Sequence, residues 1–523
     1  MKTLRLRGEN SISVEFDHWS DICSRSFLGI LLTFIGGDRI LLSLIDVSLE
    51  SHTADKTLEH IIGSLKSIPI NTINSIVSDS ASACKLTREL LIRHREFKRV
   101  IHHRCLAHLF NRIGSLFGEN EFLSETLQWA SKVTSYISRS TKMVALVANL
   151  GLRRPKKPCS VRWYSTVNMV ESIFDIEHAI LGDMLIVDAD DKLQWIKDQS
   201  KWIDLKRALK ILRPLADCIG LAEQNGSTLG EAVAKILSFA KDLFTSDWAE
   251  PLTVEAISAF LKYFGTEKLG KDEFSLLLAA YVLDRRNKCD FITQDGLDLA
   301  FEAILMVARK SACCIDAIRQ VLGNDYAMFC TQKGPFSQNQ PESQSSLEWW
   351  DRIYAGSTLS IVGNRFARLQ SSSANIERTF SDLKWFQGSR RTRFSVDTMK
   401  HLARIRIHCE PSEEFSDDEY VDCREKESNT LISEPTSILS SPLANKSIDN
   451  SNELHEYIIE VLSDDVKKLF ENFISYVDFR IVNEQRQDSD DEYTLPEISE
   501  EEAETIKRRC REQRQQNNNR ETS

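Results

Sequence analysis

Three acidic residues set far apart in the chain carry the clearest chemical promise. Asp17 follows the alternating run Ile12-Ser-Val-Glu-Phe16, and Asp79 closes the run Ile73-Asn-Ser-Ile-Val77. Both stand at predicted strand ends, and a sheet that sets those ends side by side makes the carboxylates converge. Glu377 lies in Ser371-Ser-Ser-Ala374-Asn-Ile-Glu377-Arg378-Thr-Phe380-Ser381, which opens on N-cap-type serines and runs on as a predicted helix. Two or three converging carboxylates supply the hard oxygen ligands that two-metal phosphoryl transfer needs. Singly, an Asp after a strand is also a common turn residue.

Other residue groups invite chemistry of their own. His102-His103-Arg-Cys105-Leu-Ala-His108 contains a C-x-x-H half-site. A structural zinc site takes four ligands from two such halves. No second half is nearby, so zinc is not expected, and a hydrogen-bonded histidine packing the following helix is the plainer reading. Arg162-Trp163 offers a phosphate contact and a stacking face for an unpaired base. After Glu377 come Arg378, Lys384, Arg390, Arg391, Arg393, Lys400, Arg404 and Arg406, against only Asp382 and Asp397. A basic helical face of this kind suits a polyanion such as DNA, or plain solvent.

The elements that must position these residues change character along the chain. Residues 12–16, 26–35 and 39–47 read as strands, with Gly36-Gly37-Asp38 as a hairpin signal. Helix is predicted over 53–67, 83–93 and 106–117, with a strand over 73–77 and a last short one at 100–101. Three antiparallel strands followed by helix–strand–helix–strand predict an α/β layout with a mixed sheet. Helix is then expected over 121–142 and 161–180, separated by the basic loop Arg153-Arg-Pro-Lys-Lys-Pro158. From 182 to about 334 nearly everything reads as amphipathic helix, including 205–221, 229–244, 254–264, 275–284 and 297–321. Residues 336–346 read as a linker, and 347–408 as helix again.

Composition narrows the class. The chain has 523 residues, 42% hydrophobic and 27% charged, which is ordinary for a globular protein of several domains. No apolar run approaches the ~20 residues of a membrane span. Twelve cysteines are scattered without a C-x-x-C, which fits reduced thiols inside a cell rather than a disulfide framework. The net charge of −11 divides unevenly: residues 411–523 hold 13 basic and 29 acidic residues, leaving a mildly basic body. That tail is expected to be mostly disordered, with one amphipathic helix at about 452–479.

In order and spacing the motifs resemble a known family. Phe16-Asp17-His-Trp19-Ser20, Val77-Ser-Asp79-Ser-Ala81-Ser, Arg104-Cys105-Leu-Ala-His108-Leu-Phe-Asn111 and Val161-Arg162-Trp163 are similar to the hAT superfamily of DNA transposases, especially the DUF659 type of core. Leu283-Asp284-Arg285-Arg286 looks like a degenerate L-D-P-R segment. Trp349-Trp350 with Ser371–Ser381 resembles the hAT C-terminal dimerisation region. The likeness runs from about residue 11 to 408.

The resemblance implies an RNase H-like core in residues 1–180, an all-α insertion over 181–346, and a return to the core with the dimerisation region over 347–410. Asp17, Asp79 and Glu377 would be a DDE-type catalytic triad holding Mg²⁺ (or Mn²⁺), with Cys105 and His108 supporting the core beside it. Arg162, Trp163, Arg378, Lys384, Arg390, Arg391 and Arg393 would meet DNA. The expected activity is strand cleavage by water followed by attack of the new 3′-hydroxyl. Self-association and a nuclear location follow, the latter also from the basic clusters Arg153–Lys157 and Lys507–Arg509. No ligand set for a BED zinc finger occurs, which predicts DNA binding with little sequence preference. The alternatives are a catalytically silent DNA- or chromatin-binding regulator and a protein-interaction scaffold.

Overall fold

The computed structural model describes residues 11–34, 36–158, 163–181, 195–245, 251–311, 315–353, 357–388, 394–408 and 464–479. Five strands form one mixed sheet: β1 (Ile12–Ser20), β2 (Ser26–Phe34), β3 (Arg39–Asp46), β4 (Ile73–Ser78) and β5 (Ile101–Arg104), in the order β3-β2-β1-β4-β5. The first three are antiparallel neighbours, whereas β4 runs parallel to β1 and β5 parallel to β4. The β2–β3 turn places Gly36 and Gly37 at φ +88° and +89°, left-handed values that glycine adopts without steric cost.

Alternation sorts β1 onto two buried faces. Ile12, Val14 and Phe16 join Leu28, Ile30 and Leu32 in one core, beneath α1 (Ala54–Leu65) and α2 (Ser82–Arg93). On the opposite face, Phe27, Leu31, Leu41 and Leu44 meet Ile376, Phe380 and Leu383 of α16 (Ala374–Gln387) and Met399 and Ala403 of α17 (Val396–His408). Ser13, Glu15 and Asp17 point the same way as this second core, a polar stripe on a covered face. Arg404 of α17 donates to the Leu41 and Leu42 carbonyls of edge strand β3.

The rest is mostly helical. After β5 come α3 (Leu106–Phe117), α4 (Glu121–Arg139), α5 (Thr141–Asn149), α6 (Trp163–Leu181), α7 (Gln199–Glu223), α8 (Leu229–Phe244) and α9 (Pro251–Tyr263). Then follow α10 (Thr266–Leu269), α11 (Lys271–Val282), α12 (Gln294–Ser311), α13 (Ile315–Cys330), α14 (Ser346–Arg352) and α15 (Thr358–Phe366). The predicted helix over 297–321 is two helices, and that over 121–142 ends at Ser140, whose hydroxyl caps α5. One large core joins most of these helices to Val77 and Ile101 of the sheet, and α4, α5 and α6 pack a second one around Trp129 and Trp202. Trp349 and Trp350 are buried in the large core, the Trp350 indole donating to the Leu283 carbonyl over Gly363, where a Cβ would collide with the ring. The L-D-P-R-like segment is structural here: Asp284 takes a two-pronged contact from Arg286, which also reaches Glu231 of the α8 capping box.

Part of the acidic tail belongs to the large core. The helix Asp464–Ile474 buries Val466, Phe470 and Phe473 against α9, and Phe244 stacks on Phe470 and Phe473. Among the described residues no helix is long and apolar enough to cross a membrane.

Candidate active site

Asp17 lies where β1 loses one neighbour. Pairing with β4 ends at Phe16↔Ser78, while pairing with β2 continues to Ser20↔Ser26. The strand therefore does not stop at Asp17. The aspartate sits inside β1, just past its last parallel contact, and Asp79 is the first residue beyond β4. Parallel register sets the two positions side by side, just past the end of the β1–β4 ladder. Arg88 of α2, itself buried, donates to the Ser78 and Asp79 carbonyls and pins that turn. Each carboxylate also accepts the following residue's amide, His18 for Asp17 and Ser80 for Asp79.

Glu377 arrives from the far end of the chain in the first turn of α16. Gly29, opposite Asp17 in register, makes room for that helix: a Cβ there would lie 2.5 Å from Phe380 and 2.8 Å from Ile376. The approaching segment is fixed by Ser371, whose amide reaches the Ser227 carbonyl and whose hydroxyl reaches that of Ala222. Ser373, at the N-cap position, makes no side-chain cap, and the Ser372 hydroxyl, which donates to the Ala222 carbonyl, accepts only the first helical amide, that of Ala374, at 3.3 Å. The rest of the cap comes from Glu15 of β1. Its carboxylate accepts the Ile376 amide at 3.2 Å, the Asn375 side chain at 2.9 Å and the Thr33 hydroxyl. Burial pushes the Glu15 carboxyl up, and those three donors pull it back toward the charged form.

His108, in the first turn of α3, stands between two of the acids. Its Nε2 is 3.8 Å from Asp79 Oδ1 and its Nδ1 is 3.5 Å from Glu377 Oε1. Burial works against a charged imidazole, but the Cys105 sulfur and the Glu377 and Asp79 carboxylates outweigh it and hold the proton well beyond the usual range. Cys105 is the fully buried residue before α3, with Sγ accepting the Ser373 amide at 3.3 Å. Burial, then the negative charges of Glu377 and Asp79, push the Asp17 carboxyl up to about 7. Burial together with Asp17 and Asp79 also pushes the Cys84 thiol up to about 12. Like charges crowded behind a covered face are the condition a dication relieves.

The structure thus brings Asp17, Asp79, Glu377, Cys105 and His108 to one place. It does not bring the whole basic set there. Arg378 donates to the Glu223 carbonyl at the end of α7. Trp163 lies across Gly114 of α3 and Gly118 just after it and donates to Ser115 at 3.1 Å, so the helix covers part of the indole. Lys384 is exposed two turns beyond Glu377, beside Trp385, which is 69% exposed. Arg162, Arg390, Arg391 and Arg393 lie outside the described residues.

Sequence reasoning missed Glu15 and Arg88. The signal for Glu15 was available: the run Ser26–Phe34 is apolar on both alternating sets, so its neighbour β1 is covered on both faces and an acid there needs partners. No protein-family model matches this chain, and no curated protein matches it in sequence.

Proposed function

We propose that this chain is a hAT-like, transposase-derived protein whose RNase H-like core cleaves and joins DNA strands with divalent ions held by Asp17, Asp79 and Glu377. The observation that carries this reading is the meeting of these three carboxylates where the β1–β4 ladder ends, beside the first turn of α16. The strand order β3-β2-β1-β4-β5, with only β2 antiparallel to its neighbours, supports the RNase H-like assignment. A long helical stretch between β5 and α16 supports the insertion.

The residues fit a hard dication. Asp17 offers oxygens from the sheet, Asp79 from the turn after β4 and Glu377 from a helix capped in trans, and burial together with the neighbouring acids raises Asp17. Bound Mg²⁺ or Mn²⁺ would lower the pKa of a water and neutralise charge on the attacking and leaving oxygens. The chain's own groups hold the frame. Arg88 fixes the Asp79 turn, Glu15 fixes α16, and charged His108 offsets part of the negative cluster. Exposed Lys384 and Trp385 extend the same helix toward a strand bound at the acids, as a phosphate contact and a stacking face. Nuclear residence and self-association through 347–410 belong to the same proposal.

Nicking of supercoiled plasmid by the purified chain tests it. Wild type should nick only with Mg²⁺ or Mn²⁺, and Asp79→Asn should lose that activity by orders of magnitude while still binding DNA. Equal nicking by both proteins would reject the triad. DNA binding with no ion-dependent nicking in either would favour the silent regulator.

A further inference from the structure

The acids share their pocket with a softer donor set. Cys105 Sγ, a His108 ring nitrogen and a Glu377 oxygen all lie within 4.8 Å of one another. We infer that Cys105, His108 and Glu377 form a zinc site, and that zinc bound there withdraws Glu377 from the carboxylate cluster. The inference of binding stands apart from the DNA-cleavage reading; only its inhibitory consequence rests on that reading.

Donor chemistry favours zinc over magnesium at these three residues. Thiolate and imidazole suit Zn²⁺, whereas Mg²⁺ takes oxygen ligands almost alone. Zinc bonds of ~2.0–2.3 Å ask the three donors to draw in, a movement that the partly exposed His108 and Glu377 side chains allow. The sulfur is already fixed at the start of α3 by the Ser373 amide. His108 Nδ1 is buried, makes no hydrogen bond and faces Glu377, while Nε2 turns to Asp79. A carboxylate behind the second nitrogen of a ligating histidine is the common outer-shell arrangement of zinc sites. The His108 and Glu377 side chains are 31% and 23% exposed, so the pocket is reached from solvent on their side. The C-x-x-H pair thus finds its third ligand not in a second half-site but on α16, brought by the fold.

Cobalt titration of the metal-free full-length chain tests this, since thiolate-bound Co²⁺ absorbs in the near ultraviolet and tetrahedral Co²⁺ in the visible. One equivalent should produce both bands, and one equivalent of Zn²⁺ should bleach them. Cys105→Ser should abolish the near-ultraviolet band, and His108→Ala or Glu377→Gln should weaken binding about 10–100-fold. Asp17→Asn should leave the bands intact. Wild type without the bands, or Cys105→Ser that keeps them, overturns the proposal. If Cys105→Ser does not fold, His108→Ala and Glu377→Gln decide, and unchanged cobalt affinity in both overturns it. Bands without ion-dependent nicking would reject only the cleavage reading, and nicking without bands would reject only the zinc site. If both hold, stoichiometric Zn²⁺ should stop nicking.

Discussion

Asp17 costs the empty fold stability in order to serve the site. Its folded carboxyl titrates near 7 against an ordinary value of 3.8, so the folded chain binds this proton more tightly than the unfolded chain. Stability from this group is therefore whole below about pH 4 and declines as pH rises toward 7. At ~1.4 kcal/mol per pK unit, with a discount for partial exposure, the loss by pH 8 is roughly 2 kcal/mol. Asp17→Asn should make the metal-free chain more stable at pH 8 than wild type, with the gap closing near pH 4. Urea denaturation without divalent ions checks this, and a gap independent of pH would contradict it. Burial raises the Glu15 carboxyl too, but this carboxylate serves as an acceptor for three donors. Glu15→Gln keeps one acceptor oxygen where two are used, and should cost about 1–3 kcal/mol while weakening Mn²⁺ binding through a displaced Glu377. Destabilisation with Mn²⁺ affinity unchanged would show that Glu15 supports only the fold.

At the scale of elements, the site is a contact between α16 and the middle of the sheet, and Gly29 controls it. Gly29→Val should push Phe380 and Ile376 off β2, destabilise the chain by about 1–3 kcal/mol and reduce Mn²⁺ affinity, as read by urea denaturation and Mn²⁺ titration. Full stability in that variant would mean the helix can shift freely. Such long-range placement is what the sequence reveals least. Leu106–Phe117 and Leu229–Phe244 were legible to the residue because apolar spacing and local end signals, such as the Thr228–Glu231 capping box, coincide. Strands β2 and β3 were legible to within one residue for a similar reason. The continuation of β1 past Asp17 was hidden, because its last residues pair on one side only and their period-two pattern breaks at Asp17-His-Trp19. The cap of α16 was only partly legible, because the Ser372 hydroxyl accepts the Ala374 amide locally, whereas the acceptor for Ile376 comes from a strand far back in the chain.

At the scale of the whole molecule, the amphipathic helix read in the acidic tail is present over Asp464–Ile474, but average charge concealed that it docks into the core. The −16 of residues 411–523 reads as a solvated tail, yet Phe470, Phe473 and Phe479 fill an aromatic cluster with Phe244, Phe260 and Phe291. The whole tail is thus not removable as a purely electrostatic perturbation of DNA binding. Truncation after residue 479 should leave the melting temperature unchanged, and truncation after residue 463 should lower it by several degrees. Equal melting of the two would show that the aromatic contacts add nothing to stability. The central claim, that Asp17, Asp79 and Glu377 together hold divalent ions, is tested most directly by anomalous diffraction from crystals of the chain grown with Mn²⁺. The account predicts two peaks ~3.5–4 Å apart among these three carboxylates, and their loss in Asp79→Asn. Crystals with no anomalous density among the three acids at saturating Mn²⁺ would contradict it.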